Sequence, residues 1–198
     1  MKVTINYYFL MLLLPAIAFA NDWQVTIEAK GQQIDGMYKS SVVVGESSVA
    51  QSTPAAPEPP KFTCRMLTKP DWDVDLSIDR RLFCPDQCWI IALNPHGNVG
   101  NPDPRSVTLT WNPGNFGDGT YSLTEGYDCL GSSVISNMKN ESQFIFHGTN
   151  KEYYFSIVKQ PGLTDVIRSL SLLSGQPCGC CRVTLKEIVL MMNRMSTL

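Results

Sequence analysis

The chain predicts a mainly β protein: an antiparallel β-sandwich followed by a small C-terminal α-helical hairpin. Three observations carry that expectation. Val107, Leu109 and Trp111 alternate with Ser106, Thr108 and Thr110, the period of two that puts one strand face in a core and the other in water. Short apolar runs of this kind recur between stretches crowded with Asn, Pro, Gly and Asp, such as 94–105 and 112–119, whose backbone preferences close turns. Beyond Pro161 the period becomes helical, with Val166, Ile167, Leu170 and Leu173, then Leu185, Ile188, Val189 and Met192.

Taken in order, residues 1–20 read as an export signal. Lys2 supplies a charged start, Phe9 to Leu14 an apolar run, and Ala18-Phe19-Ala20 a small-x-small cleavage site before Asn21. The run is short for a bilayer span, so no membrane span is expected after cleavage. The mature protein is expected outside the cytoplasm: secreted, periplasmic or at the cell surface. The formal charge is −2, and loss of Lys2 leaves the remainder mildly acidic. Its basic residues are not clustered, which argues against nucleic acid as a partner. The remaining residues suffice for one domain and a small appendage.

The domain is expected over 21–159. Trp23, Val25, Ile27 and Ala29 share one face of a first strand, and Ser41 to Gly45 forms a short apolar run. Gln51 to Lys61 holds too many prolines for a central strand and reads as an extended crossing between two sheets. Phe62, Cys64 and Met66 alternate, and so do Trp72, Val74, Leu76 and Ile78. The segments 88–93, 106–111 and 120–123 then read as an antiparallel meander. Strands at 133–138, 143–147 and 152–158 complete a set of roughly eight or nine, the number a sandwich or barrel needs.

The hairpin is expected over 162–198. Gly175 and Pro177 stop its first helix, and Thr184 caps the second with Glu187 at N3. Leu163-Thr164-Asp165-Val166-Ile167 matches Leu185-Lys186-Glu187-Ile188-Val189 at an offset of 22 residues. The run from Leu163 to Leu170 resembles the helix of a dockerin repeat. The resemblance implies a paired, EF-hand-like module that binds calcium and docks extracellular proteins. The chain departs from that pattern at the ligands. Positions 1, 3 and 5 of a loop ending at Glu187 are Gln176, Cys178 and Cys180, and those of a loop ending at Asp165 are Tyr154, Ser156 and Val158. The preceding part resembles the Ig-like modules strung through large secreted bacterial proteins.

Chemistry is sparsely marked. Asp71, Asp73, Asp75 and Asp79 have the opening spacing of a calcium loop, although Leu76 and Leu82 stand where glycine and an acid belong. No cofactor is expected, with calcium at these aspartates the alternative reading. Of seven cysteines, Cys64–Cys129 and Cys84–Cys88 are candidate disulfides, while Cys178, Cys180 and Cys181 share a bridge, among themselves or to Cys84 or Cys88. Cys84 and Cys88 could instead form half of a zinc site completed by Cys178, Cys180 and Cys181, but their spacing is irregular.

Trp72, Trp89, Trp111, Tyr121 and Tyr127 could supply sugar-stacking rings, with Trp111, Tyr121 and Trp72 the chosen platform. His96 and His147 lack a triad context and no G-x-S-x-G occurs. The expectation is therefore a non-catalytic module for extracellular binding or assembly, with an extracellular protein or a polysaccharide as partner. A carbohydrate-binding accessory to polysaccharide degradation and a hydrolase using a carboxylate pair are the rival readings.

Overall fold

The computed structural model describes residues 22–33, 36–56, 62–67, 75–95, 105–149, 151–162 and 165. The expected export signal lies outside these residues, and so does the expected helical hairpin except for Gly162 and Asp165. The described chain is mainly β. Its strands are β1 (Trp23–Gln33), β2 (Gly36–Ser47), β3 (Gln51–Pro54), β4 (Thr63–Leu67), β5 (Asp75–Leu82), β6 (Cys88–Asn94), β7 (Arg105–Thr110), β8 (Thr120–Glu125), β9 (Ser133–Ile135), β10 (Gln143–Gly148) and β11 (Tyr153–Gln160).

All belong to one sheet, ordered β10-β7-β1-β2-β5-β4-β6-β11-β8-β9, with β3 beside β5. This corrects the expected two-sheet antiparallel sandwich. What would have been two sheets are stitched together by β2 and β5, which run parallel from Val43↔Ile78 to Ser47↔Leu82. The end of β2 has the burial such a partner requires, because Val44, Gly45, Glu46 and Ser47 are all buried. The sheet curls until Phe144 and Phe146 of β10 meet Phe155 of β11, with centroids 5.6 and 5.0 Å apart. The result is nearly a barrel around one core.

The expected meander is also corrected. Strands β6, β7 and β8 exist where the alternation placed them, yet none pairs with the next. β6 lies between β4 and β11, β7 between β1 and β10, and β8 between β11 and β9. The connections from Asn94 to Arg105 and from Thr110 to Thr120 are long, so they impose no hairpin register. The segment expected to cross between two sheets begins instead as β3, a short edge strand paired antiparallel with β5 that ends at Pro54, as a missing donor demands.

The inward faces of β1, β7 and β8 match the periodicity, whereas β5 departs from it, with Asp79 buried and Ile78 only half-buried. Val25, Ile27 and Ala29 of β1, Val107 and Leu109 of β7, and Tyr121 and Leu123 of β8 are fully or almost fully buried. Strand β6 is buried on both faces. Trp89, Ile91 and Leu93 join the main core, while Ile90 and Ala92 form a second, smaller apolar cluster with Leu67 on the opposite side. That second cluster is the floor of the outer face described next.

Candidate functional site

The sequence-chosen platform is not a platform. Trp111 is buried with its Nε1 donating to the Met138 carbonyl at 2.8 Å. Tyr121 is 0% exposed and its hydroxyl donates to the Asp118 carbonyl at 2.9 Å. Both polar tips are satisfied inside, as buried Trp and Tyr require, so neither ring offers a face to a ligand. Trp72 lies outside the described residues.

The calcium set fares similarly. Asp71 and Asp73 lie outside the described residues. Asp75 Oδ1 is 3.0 Å from Arg65 Nε, an ion pair without hydrogen-bond alignment. Asp79 Oδ2 accepts from Arg81 Nε and Nη2 at 2.8 and 2.6 Å. Both described carboxylates thus face guanidinium groups. Among the described residues no three His, Cys, Asp or Glu side chains gather as a metal-ligand set.

The cysteines pair differently from the expectation. Cys88 is bonded to Cys129, and Cys64 is a free, buried thiol. Cys84 is also disulfide-bonded. Cys178, Cys180 and Cys181 lie outside the described residues. The predicted Cys64–Cys129 and Cys84–Cys88 bridges fail for a topological reason. Cys64 alternates with Phe62 and Met66 into the core, whereas Cys88 and Cys129 meet on the outer face. The sheet therefore separates Cys64 from Cys129.

That bridge pins a loop onto the outer face. Residues 126–131 leave β8 at Gly126, whose φ of 102° suits glycine. Its N–H donates to the Tyr154 carbonyl at 2.8 Å, and its carbonyl accepts from Ser156 Oγ at 2.8 Å. The loop returns at Gly131, where any Cβ would collide with the Glu125 carbonyl oxygen. Held at both ends and by the Cys129 sulfur, it displays Tyr127 at 55% and Leu130 at 86% exposure. The Tyr127 ring meets Tyr154 of β11 edge to face, centroids 5.6 Å apart.

Beside the tyrosines runs a charged ladder. Tyr154 Oη donates to Glu152 Oε2 at 2.5 Å, and Glu152 Oε1 pairs with Arg65 Nη2 at 2.5 Å. Arg65 then reaches Asp75 on β5. The hydrogen bond to Glu152, more than burial, raises the Tyr154 phenol above its ordinary pKa and keeps it a donor. The face thus combines two aromatic rings, an exposed leucine, two carboxylates and a guanidinium, carried on or next to β4, β5 and β11 and on a loop that a disulfide fastens to β6. Such a set can stack and hydrogen-bond a ligand.

A second polar group is buried beneath Trp23. Lys159 of β11 is 2% exposed, yet its Nζ donates to Glu46 Oε2 at 2.8 Å, to Asp165 Oδ1 at 3.0 Å and to the Cys84 carbonyl at 3.1 Å. Glu46 is completed by Trp23 Nε1 at 2.9 Å and the Cys84 N–H at 3.0 Å. Asp165 Oδ2 accepts from the Gly162 N–H at 3.1 Å. Burial pushes the Asp165 carboxyl above the usual carboxylate range, against the pull of Lys159.

The sequence reading passed over Lys159 and Glu46. The signal was available: Val42, Val44 and Glu46 are in phase, and so are Phe155, Ile157 and Lys159. A charge in step with inward apolar residues announces a buried partner. Among the described residues no helix is long and apolar enough to cross a membrane. Comparison with family models, with characterised proteins and with solved structures finds no match for this chain.

Proposed function

We propose that the protein is a non-catalytic module for extracellular binding or assembly, and that its ligand contacts the outer face around Tyr127, Leu130 and Tyr154. The observation that carries this reading is the exposure of Tyr127 and Leu130 on a loop fastened by a disulfide. An exposed aromatic on a rigid support loses little conformational entropy when a partner covers it. The partner is an extracellular protein or a polysaccharide. The tyrosine pair beside Glu152 and Arg65 favours the polysaccharide, because stacked rings and charged hydrogen-bonding groups together suit sugar faces and hydroxyls.

The C-terminal segment enters the same reading as a docking element. Cys84 is disulfide-bonded, and Cys64, Cys88 and Cys129 are otherwise accounted for. That supports a tether from Cys84 to one of Cys178, Cys180 and Cys181, which would join a dockerin-like hairpin over 162–198 to the body. Export fits both the cysteine usage and the leader-like residues 1–20.

The test is affinity electrophoresis through gels containing individual polysaccharides, together with pull-down from a secreted-protein fraction. Retardation or capture by the parent, lost in Tyr127→Ala with Leu130→Ser, is the expected result. Equal retention of parent and variant would remove the face from consideration. Hydrolysis of the retained polysaccharide would defeat the non-catalytic reading.

A further inference from the structure

The Lys159 cluster holds more chemistry than an ion pair needs. A buried amine stands 3.0 Å from one carboxylate oxygen and 2.8 Å from a second carboxylate, with all three side chains shielded from water. The two carboxyl groups are not equivalent. Glu46 accepts three hydrogen bonds, from Trp23 Nε1, the Cys84 N–H and Lys159. Asp165 accepts from Gly162 and Lys159 and has its pKa raised by burial. Lys159 Nζ is therefore within hydrogen-bond reach of both groups, with Glu46 on one side and, on the other, a carboxyl that burial shifts toward its protonated form.

We propose that Lys159 and Asp165 are the partners of an intramolecular isopeptide bond, and that Glu46 is the proton acceptor that promotes it. One ammonium proton moves from Lys159 Nζ to Glu46 Oε2. The freed nitrogen pair forms a bond to Cγ of the protonated Asp165. The Cγ–hydroxyl bond breaks, and the hydroxyl departs as water with a second proton from the nitrogen. The third proton stays on the amide nitrogen, and Glu46 holds the first. Atoms and charge balance, and no oxidant or other reactant is required.

Three features of the site favour the step. Holding the nucleophile against its target replaces an encounter by a local motion, which in well-oriented systems corresponds to effective concentrations of about 10⁵–10⁸ M. Amide formation removes two charges from a place where charge is costly. Exclusion of bulk water disfavours hydrolysis of the product. Trp23, whose ring lies 5.8 Å from Trp89 and 5.1 Å from Tyr121, forms part of that shield. The neighbouring charges are Asp118 and Lys139, one of each sign, so they do not bias the pair strongly. The bond would close residues 159–165 into a ring and fasten the chain after β11 to the body.

The experiment is peptide mapping of the full secreted chain after reduction, alkylation and denaturation. Trypsin should fail to cut after Lys159 and should release the peptide from Glu152 to Arg168 lighter by one water. The deficit should survive mild alkaline hydroxylamine, which opens a succinimide at aspartate but leaves an isopeptide bond intact. Asp165→Ala should be cut normally after Lys159, and Glu46→Gln should retain both partners largely unlinked at full mass. Tryptophan fluorescence would verify that each variant is folded. The parent decides the main question without any variant. A parent peptide of full mass, cut after Lys159, overturns the bond, as does a deficit removed by hydroxylamine. A folded Glu46→Gln linked as completely as the parent overturns the part given to Glu46.

Discussion

The molecule contains two groups of one cation and two carboxylates. Lys159 sits with Glu46 and Asp165, and Arg65 sits with Asp75 and Glu152. The stoichiometry is the same and the surroundings are opposite. In the first group the side chains are 1–5% exposed, and each charge is held by several hydrogen bonds. In the second the side chains are 19–41% exposed and open to solvent. Removing one partner from a buried group strands a desolvated charge, whereas solvent compensates most of a loss at the surface. The comparison therefore separates a cluster that the fold depends on from a face that is free to evolve toward a ligand.

The largest effect should come from breaking the buried side. Lys159→Ala is expected to destabilise the protein by about 3–5 kcal/mol, measured by urea unfolding, because Glu46 and Asp165 are left buried together. A loss below about 1 kcal/mol would make the two clusters equivalent and end the comparison. Should peptide mapping show Lys159 and Asp165 unlinked in the parent, replacing the buried cluster as a unit with Lys159→Met, Glu46→Leu and Asp165→Leu should recover much of the loss.

The outer face should respond next, through its bridge instead of its charges. Cys88–Cys129 spans a sequence separation of 41, and the paired change Cys88→Ser with Cys129→Ser is expected to cost about 2–4 kcal/mol. Amide exchange across 126–131 should rise in that variant. Unchanged exchange there would mean that the backbone hydrogen bonds of Gly126 suffice to hold the loop.

Strand β4 sharpens the contrast, because it carries a residue of each environment side by side. Burial pushes the Cys64 thiol from 9.0 up to about 12, while Arg65 pulls weakly the other way. A thiol whose pKa is higher in the folded state stabilises fully below its unfolded value and loses that contribution as pH rises through the folded one. Unfolding free energy should therefore fall between pH 9.0 and about 12, and Cys64→Ala should flatten part of that slope. Native Cys64 should also resist alkylation at neutral pH, and rapid labelling would show that β4 opens. The neighbouring Arg65→Ala should have the smallest effect, at most about 1 kcal/mol in the same unfolding assay.

How much of this was legible in the sequence differs between the two regions. Strand positions and inward faces follow from side-chain period, so Val25, Ile27, Val107 and Leu109 were readable. Strand neighbours were not, because long connections such as Asn94 to Arg105 leave partner and register open. The outer face needed that missing information. Leu67, Ile90 and Tyr154 come from β4, β6 and β11, and only the sheet order gathers them with Cys129, where Tyr154 meets Tyr127. Trp111 shows the opposite difficulty: alternation marked its face, but nothing local revealed that the Met138 carbonyl would receive its polar tip. The buried cluster was half legible, since Glu46 and Lys159 are in phase with core residues while their pairing is a long-range fact.

The division between the two regions is tested most directly by measuring ligand retention and unfolding midpoint together on Tyr127→Ala and on Glu46→Gln. Tyr127→Ala should keep its stability within about 0.5 kcal/mol of the parent and lose retention on the polysaccharide or partner that the parent binds. Glu46→Gln should unfold earlier and, while folded, bind as the parent does. The opposite pattern, with binding intact in Tyr127→Ala and lost in folded Glu46→Gln, would contradict the account.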